Sequence, residues 1–497
     1  MSTWVMVLGG IVSLYFAYIL LVVVYNLFLH PLARFPGPWL HAATPIPYVL
    51  AQIQGRLPFM FGPLHAKYGD VVRVHPNELS FNCEEAWKDI YALRAGRTPI
   101  TKVPGLTAPS HEGVFNIVTT INISDHKRYR TTLSPSFSDK SLRGQEPIVM
   151  KYVSLMLEKM RKHAMNRPDE PQNLMDWLNW MAFDLIGDLT FGESLNSLEN
   201  ETNHPWMANM FDSFRINLFS RAANQLPHIA PLLRRRFIPP AMAKQRAQHA
   251  SFTGAKVDQR MAMDTDRQDF MSSVLPYDEK KTKMTLPEIR NTYGALMIAG
   301  SETTATTLAF TFWWLCKNPD CLATLEHEVR SQFQTQNDIT ISSAASLKYL
   351  NAVLMESMRI QPAAPASQPR MTPKRGEVIA GLHVPEKTIV AIPPVCMYHD
   401  ARNFKDPLKF IPQRWLDDPA YQSDKRSIFQ PFSVGPRSCI GRTLAMNEMR
   451  VVLARLVWNF EIALTPESEQ WAERLKIYVL WEKRPLWVKL RARELDS

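Results

Sequence analysis

The start of the chain contains the feature that most limits how this protein can fold. From Trp4 to Leu29 there is no charged side chain. As a helix, these 26 residues would be about 39 Å long, more than the roughly 30 Å hydrocarbon core of a bilayer. A cleaved signal peptide is the alternative, but it needs a basic start and an apolar stretch of only about 7–15 residues. The sequence therefore predicts a retained transmembrane anchor over residues 1–30.

Charge placement and proline residues predict how the chain continues from this anchor. No charged side chain precedes the apolar run, and Arg34 is the first to follow it. Because positive charges stay on the cytoplasmic side, we expect the residues after 34 in the cytosol. Pro31, Pro36 and Pro38 cannot continue a helix, so residues 31–57 are predicted to form a proline-containing linker. No second apolar run approaches the length of about 18 residues that a span requires, which predicts a single-pass protein.

The remaining residues, 58–497, predict one mostly α domain with small β-sheets. Hydrophobic residues make up 46% of the chain and charged residues 21%, a balance that excludes a disordered protein. Helical periodicity marks five segments: Glu146–Lys162, Gln172–Thr190, Leu286–Lys317, Ala323–Gln334 and Arg442–Asn459. Four short apolar runs predict strands: Val71–His75, Glu377–Ala380, Ile389–Ile392 and Leu475–Leu480. The polar segment Asp264–Lys283 is predicted to be a surface loop.

The cysteines and the missing motifs exclude several classes of protein. There are five cysteines, an odd number, and none forms a CxxC pair, which argues against a disulfide framework and against structural zinc. Four of them are expected to be small buried hydrophobic residues: Cys83, Cys316, Cys321 and Cys396. The chain also lacks the Gly-rich phosphate loops of nucleotide-binding folds. We therefore expect thiols in a reducing compartment and no nicotinamide or flavin module in this chain.

The fifth cysteine lies in a pattern of fixed residues. Phe432, Gly435, Arg437, Cys439 and Gly441 occur as FxxGxRxCxG. This segment resembles the haem-binding loop of the cytochrome P-450 superfamily. The resemblance implies that the Cys439 thiolate is the axial ligand of the iron of haem b and that Arg437 pairs with a haem propionate. Free cysteine has a pKa of about 8.5, so a thiolate needs positive surroundings. The two glycines are expected to let the backbone approach the porphyrin.

Two segments upstream of Cys439 resemble the structural brace of the same family. Glu356 and Arg359 form an ExxR motif, which alone is common on solvated helices. Arg414 lies in a segment that is similar to the family's FxPxRW motif, with Gln413 where the family often has Glu. The resemblance implies a buried network of Glu356, Arg359 and Arg414 that supports the cysteine loop. Removing one partner of such a network costs about 3–5 kcal/mol.

The helical segment Leu286–Lys317 contains a candidate catalytic pair. Its AGSETT sequence, residues 299–304, is similar to the family's [AG]Gx[DE]T[TS] motif. The flanks, residues 293–299 and 305–315, carry no charge, so Glu302 is the acid of an otherwise apolar stretch. The resemblance implies that Glu302 and Thr303 deliver protons to dioxygen. Gly300 is expected to leave space for oxygen.

Further cations resemble the family's ligands for the haem propionates. His126 and Arg130 occupy a segment similar to the family's WxxxR helix, although His126 replaces the tryptophan. Their i,i+4 spacing places both on one helix face. Arg370 matches the family's other propionate-binding arginine. The charged residues Lys127, Arg128, Lys140 and Arg143 lie on segments that in the family face an electron-donor protein.

Taken together, the resemblance implies a haem-thiolate monooxygenase that inserts one oxygen atom from dioxygen into a lipophilic small molecule. Two stretches, Leu133–Tyr152 and Phe183–Glu199, look most like fungal enzymes of secondary metabolism, including those that act on terpenoids. Electrons would come from an NADPH-dependent flavoprotein reductase, and the expected location is the endoplasmic reticulum membrane, with no role for nucleic acid. Two alternatives stay open: a haem-thiolate isomerase or dehydratase, and a membrane-tethered haem sensor or electron carrier.

Overall fold

Helices dominate the architecture of the chain. The computed structural model describes residues 2–494 except 108, 111, 227, 238–240, 279–282 and 483. The α-helices in chain order are α1 Ser2–Val24, α2 Trp39–Ala43, α3 Ile46–Ile53, α4 Leu57–Tyr68, α5 Glu85–Tyr91, α6 Ile123–Leu133, α7 Asp139–Asn166, α8 Leu174–Phe191, α9 Ser197–Asn200, α10 Pro205–Asn224, α11 Ala230–Phe237, α12 Ala241–Met261, α13 Leu286–Lys317, α14 Pro319–Gln332, α15 Ile341–Ala345, α16 Lys348–Ile360, α17 Pro394–Tyr398 and α18 Arg442–Asn459. The predicted mostly α fold with small sheets is confirmed.

Three small sheets lie around this helical body. The strands are β1 Val71–His75, β2 Glu78–Phe81, β3 Thr101–Lys102, β4 Gln172–Asn173, β5 Arg370–Met371, β6 Glu377–Ile379, β7 Leu382–Val384, β8 Ile389–Ala391, β9 Phe460–Leu464 and β10 Trp487–Ala492. The largest sheet has the order β1-β2-β8-β5-β3, in which only the β2–β8 pair is parallel. The others are antiparallel, with the orders β4-β10-β9 and β6-β7. The first sheet matters for the site because β3 and β5 carry Lys102 and Arg370.

The long helix α13 runs through the core and organises the site. Its start is fixed by a capping box, in which the Thr285 side chain accepts from the Glu288 N–H and Glu288 accepts from the Thr285 N–H. It packs closely against α8, where the missing side chain of Gly300 would lie 2.7 Å from Ile186 Cδ1. The close approach of the two helices therefore also favours glycine at this position, and its role in leaving space for oxygen stays a prediction.

The first helix is unlike the others because its apolar side chains are not covered by protein. Trp4 is 82% exposed, and the most apolar window of Trp4–Leu29 is 0% buried. By length and composition this segment can cross a membrane. The predicted linker, residues 31–57, contains α2 and α3, and its residues Leu32 and Val49 are buried. The chain after the anchor is therefore held against the helical body.

Some local predictions are confirmed and others are wrong. The bounds of α13, α18 and β1 agree with the predicted segments. Leu475–Leu480 is not a strand, since it makes only an isolated bridge from Ile477 to Trp481, and Val479 has a φ of 98° that no strand allows. The segment predicted as a surface loop contains a buried turn over Phe270–Ser273, which a buried Arg260–Asp269 ion pair at 2.8 Å anchors. Its polar composition reflects that pairing.

Candidate functional site

Between α13, α18 and the loop before α18 lies a cavity of about 250 Å³. Most of its lining is apolar and includes Ile186, Phe270 and Leu296. Cys439 faces the cavity with its side chain accessible from inside, and Thr303 lines the same space from α13. A large apolar space with few polar groups is the ordinary form of a small-molecule site.

Backbone contacts hold the loop that presents Cys439. The Cys439 N–H donates to the Phe432 carbonyl at 2.9 Å, so the two ends of the motif are tied together. The Arg130 guanidinium donates to the Ser438 carbonyl at 2.6 Å. Gly435 has a φ of 78°, and a Cβ there would lie 2.2 Å from the Tyr91 carbonyl oxygen. Gly435 is thus required by the neighbouring backbone, whereas the nearest atom to a Cβ on Gly441 would be 3.9 Å away.

Neighbouring groups have opposite effects on the pKa of the Cys439 thiol. Burial raises its pKa, while the Gly441 N–H and the charges of Arg130 and Arg442 lower it. Burial has the larger effect, so the pKa of Cys439 lies above its usual value. Burial also raises the pKa of Cys83 and Cys396 to about 12, and of these two only Cys396 has a nearby arginine that lowers it. A metal cation at the Cys439 sulfur would favour the thiolate. Among the five cysteines, Cys439 is the one that lines the cavity.

Several cations gather beside this loop without a carboxylate among the partners that the structure gives them. Lys102, Arg370 and Arg437 face one another closely enough that burial and mutual repulsion lower the pKa of Lys102 to about 7 and that of Arg437 to about 10. His126 is buried next to them, and burial together with these charges lowers its pKa to about 4. Arg437 Nη1 is buried with no hydrogen-bond partner. A group carrying two carboxylates would satisfy this cluster, so these residues fit the propionates of a haem.

The predicted brace is present and fully buried. Glu356, Arg359 and Arg414 are all 0% exposed. The Glu356 carboxylate accepts five hydrogen bonds of 2.7–3.0 Å, from Arg359 Nε and Nη2, Arg414 Nε, the Ile411 N–H and Trp415 Nε1. Burial alone would raise the pKa of Glu356, but Arg359 and Arg414 outweigh it and hold that pKa below its usual value.

A fourth ion, which the sequence did not indicate, completes this network. Arg414 forms a buried ion pair with Asp424, so two acids face two arginines and no net charge is buried. The network does not touch Cys439. It reaches the cysteine loop through aromatic residues, since the Trp415 ring lies 4.8 Å from that of Phe429 and the Tyr398 hydroxyl accepts from the Gln430 N–H at 3.0 Å.

The candidate catalytic pair lies on α13, but only one member lines the cavity. Thr303 Oγ1 donates to the Ala299 carbonyl at 2.7 Å, which leaves its lone pairs to accept from a molecule in the cavity. Thr307 and Thr311 make the same bond one and two turns further on. Glu302 is 2% exposed and is not among the cavity-lining residues. The structure therefore supports Thr303 more directly than Glu302.

Two further acids make contacts at or near the site that the sequence did not indicate. Glu448, on α18, lines the cavity, is 1% exposed and is hydrogen-bonded to Thr304, and burial raises its pKa to about 8. Glu288 accepts from both Arg128 Nη atoms at 2.7 Å and from the Tyr129 hydroxyl, which ties α6 to the start of α13. The helix Arg442–Asn459 also carries three arginines, so no local pattern sets Glu448 apart. Nothing local marks the partner of Glu288.

Glu448→Gln is expected to change how stability depends on pH. The pKa of Glu448 is raised in the folded state to about 8. Between about pH 4.5 and pH 8, the unfolded chain therefore releases a proton that the folded chain keeps. As a result, the stability of the wild-type protein falls as the pH rises through this range. Glutamine removes this loss. The stability of the variant relative to wild type should therefore grow from pH 5 to pH 8, by up to about 1.4 kcal/mol per pH unit. Denaturant unfolding of the holoprotein measures this, and a constant difference across the range would contradict it.

Comparisons with known proteins agree with this geometry. A family model described as Cytochrome P450 matches residues 41–490. The chain is similar to the cytochrome P450 monooxygenase astJ of Aspergillus oryzae, 41% identical over 478 residues, which is 95% of each chain. It is also similar to averantin hydroxylase of Dothistroma septosporum, 38% identical over 96% of this chain and 89% of that one. Trichothecene C-15 hydroxylase of Fusarium sporotrichioides is 38% identical over 95% and 96%.

Proposed function

Because this chain belongs to the cytochrome P450 family and is a P450 monooxygenase of fungal secondary metabolism, we propose that it inserts one oxygen atom from dioxygen into a lipophilic metabolite such as a terpenoid. The observation that carries this proposal is that Cys439 and Thr303 line one apolar cavity. The proposal includes thiolate-ligated haem b, an anchor over residues 1–30 in the endoplasmic reticulum membrane and a cytosolic catalytic domain over 58–497, against which the connecting residues 31–57 pack.

Haem, when bound, supplies the redox chemistry at its iron, and the chain supplies ligation, orientation and protons. Cys439 would hold the iron, with Phe432, Gly435 and Gly441 shaping its loop. The propionates would be held by His126, Arg130, Arg370 and Arg437, together with Lys102. The apolar walls hold the substrate and exclude water. Thr303 Oγ1 holds a proton or an ordered water where dioxygen is reduced, and Glu302 resupplies protons along α13.

An isotope experiment tests this function. The purified holoprotein is reconstituted with an NADPH-dependent flavoprotein reductase and lipophilic extracts, under ¹⁸O₂. Products that carry one labelled oxygen and require NADPH support oxygen insertion. Rearranged or dehydrated products formed without NADPH would instead indicate the isomerase or dehydratase alternative. Reduction without any product would indicate the electron carrier.

Thr303→Ala is expected to uncouple NADPH consumption from product formation. Without the hydroxyl, protons are no longer positioned at the reacting oxygen, and such positioning contributes about 10²–10⁴-fold. The variant should bind substrate and consume NADPH but release more hydrogen peroxide per product, while Glu302→Gln should slow turnover. Product, peroxide and NADPH are measured in one assay. Thr311→Ala is the control, because Thr311 has the same helical bond but lies outside the cavity lining. Unchanged coupling in both Thr303→Ala and Glu302→Gln would contradict the assigned roles.

Exposure reduces the four cations that were predicted to face the electron donor to three. Arg128 is engaged by Glu288, whereas Lys127, Lys140 and Arg143 are exposed. We propose that these three contact an acidic surface of the reductase. Charge reversal by Lys127→Glu with Lys140→Glu should slow the first electron transfer and flatten its dependence on ionic strength. Lys489→Glu, an exposed lysine on β10, is the control. Stopped-flow reduction rates that are equal in all three proteins would argue against this surface.

A further inference from the structure

A second cavity, of about 390 Å³, lies behind one wall of the first. The two share the segment Ala363–Pro369, of which Ala363, Ala364 and Gln368 line the cavity at Cys439 while Ala366, Ser367 and Pro369 line the second one. The other walls come from α3, α4, the end of α10 and the chain around Val479. We call this space the Arg221 chamber, after its one arginine.

Arg221 is the unusual group in this chamber. It lies in the last turn of α10 and lines the cavity, and burial lowers its pKa. The structure gives its guanidinium no hydrogen-bond acceptor and no acidic partner among the described residues. The nearest groups that affect it are Tyr48, a neutral phenol, and Lys102, whose own pKa the charge of Arg221 lowers. Its nitrogens are not among the buried atoms that lack a partner, so they face the open space of the chamber. A ligand that enters this space would therefore meet a planar fork of five donors.

Other polar side chains of the chamber are paired with each other. His75 and Gln225 interact, which offsets part of the effect of burial, and burial still lowers the pKa of His75 to about 4. The one acid in the lining is Glu78, which burial makes hard to ionise, raising its pKa to about 7, and which accepts a long bond from Tyr48 at 3.4 Å. Val479 in the same wall has a φ of 98°, a strained conformation of the kind that collects at ligand sites.

We propose that the Arg221 chamber binds the carboxylate end of an acidic lipophilic substrate, whose apolar body extends past the Ala363–Pro369 wall toward Cys439. This deepens the proposed monooxygenase function and rests on it, because it makes the substrate class a lipophilic carboxylic acid. Arginine suits a carboxylate because its planar fork donates two parallel hydrogen bonds. The apolar remainder of the lining, including Leu57, Phe61 and Leu218, receives the adjoining carbon chain.

Matched ligands that differ only in charge test this proposal. Octanoate, methyl octanoate and octan-1-ol are titrated into the detergent-solubilised holoprotein at pH 7.4 by calorimetry. Octanoate should bind at least about tenfold more tightly than its ester, since charged hydrogen bonds are the strong ones. Arg221→Gln should remove that preference while leaving ester affinity and the reduced carbon monoxide spectrum unchanged. Arg221→Lys should keep part of it. Arg215→Gln, on the same helix but exposed over the Tyr478 ring, should change nothing.

The outcomes separate this proposal from the monooxygenase function. Three results would each overturn the proposal that the Arg221 chamber binds a carboxylate: equal binding of acid and ester by the wild-type protein, no binding of octanoate, or a preference for the acid that persists in Arg221→Gln. None of these results would change the outcome of the ¹⁸O₂ experiment. If Arg221→Gln does not fold, Asn224→Asp places a negative charge on the exposed rim of the same chamber and should lower octanoate affinity alone. An unchanged octanoate affinity in that variant would also overturn the proposal.

Discussion

Cys439→Ala is expected to abolish the red-shifted Soret band that the reduced protein shows with carbon monoxide. The band reports a thiolate on the haem iron, and Cys439 is the cysteine that faces the cavity under Arg130, Arg442 and the Gly441 N–H. Without the thiolate, O–O cleavage loses the electron density that supports it, so product formation should fall to background. Because alanine removes only the sulfur, and the Cys439 N–H bond to Phe432 is a backbone contact, the loop should still fold.

Two other cysteines provide the controls for this result. Cys83→Ala and Cys396→Ala remove thiols whose pKa is raised to about 12 by burial and which lie outside the cavity lining. Both should keep the thiolate spectrum, with at most a modest loss of stability where packing is disturbed. Difference spectroscopy and a haem assay on the three variants measure this. A normal spectrum in Cys439→Ala would remove the ligand assignment.

Arg359→Ala is expected to prevent the accumulation of haem-loaded protein. The change leaves the Glu356 carboxylate buried with the loss of two charged hydrogen bonds at 2.7 and 2.8 Å. It also removes the donors to the Tyr398, Pro407 and Lys409 carbonyls. Breaking a buried pair in this way costs about 3–5 kcal/mol, a large part of the stability of an ordinary domain. Haem content and yield of soluble protein after expression are the measurements.

An exposed ion pair serves as the control for the brace. Arg402 pairs with Asp70 and Asp400 and is 47% exposed, so Arg402→Ala should cost no more than about 1 kcal/mol. Asp424→Asn offers a milder change within the network, because it leaves Arg414 with one acid instead of two. Its loss of stability should lie between those of the other two variants. A stable Arg359→Ala holoprotein with full haem content would show that the network is dispensable.

Patterns confined to one element were predictable from the sequence, and contacts between distant elements were not. The bounds of α13 follow from the Thr285–Glu288 capping box, an uncharged middle and Lys317 at the end. Cys439 was found because its motif is contiguous. Asp424, Lys102 and Glu448 were missed because each acts through a partner far away in the chain, and no local pattern marks such a partner. The prediction of a strand at Leu475–Leu480 was wrong for the same reason. Strand pairing depends on neighbouring segments, and the sequence does not show which segments lie beside this one.

The same distinction between local patterns and distant contacts applies to the predicted site. The structure brings Thr303, Phe432, Arg437 and Cys439 to one cavity, whereas His126 and Arg370 lie among the cations beside it. Two of the motif glycines have close neighbours that the sequence did not indicate. A Cβ on Gly300 would crowd Ile186 and a Cβ on Gly435 would meet the Tyr91 carbonyl, and both neighbours come from segments more than a hundred residues away. A motif shows that glycine is required, but only the packed chain shows which atom requires it.

The separation between the brace and Cys439 divides this part of the molecule into a charge-balanced scaffold and a loop that rests on it. Glu356, Arg359, Arg414 and Asp424 neutralise one another within the scaffold from α16 to Asp424. The cysteine loop adjoins this scaffold through Phe429 and Gln430, by a ring contact and a hydrogen bond to the Tyr398 hydroxyl. Residues within the loop can therefore change without leaving a buried charge in the scaffold unpaired, whereas a change in the scaffold affects the base on which the loop rests.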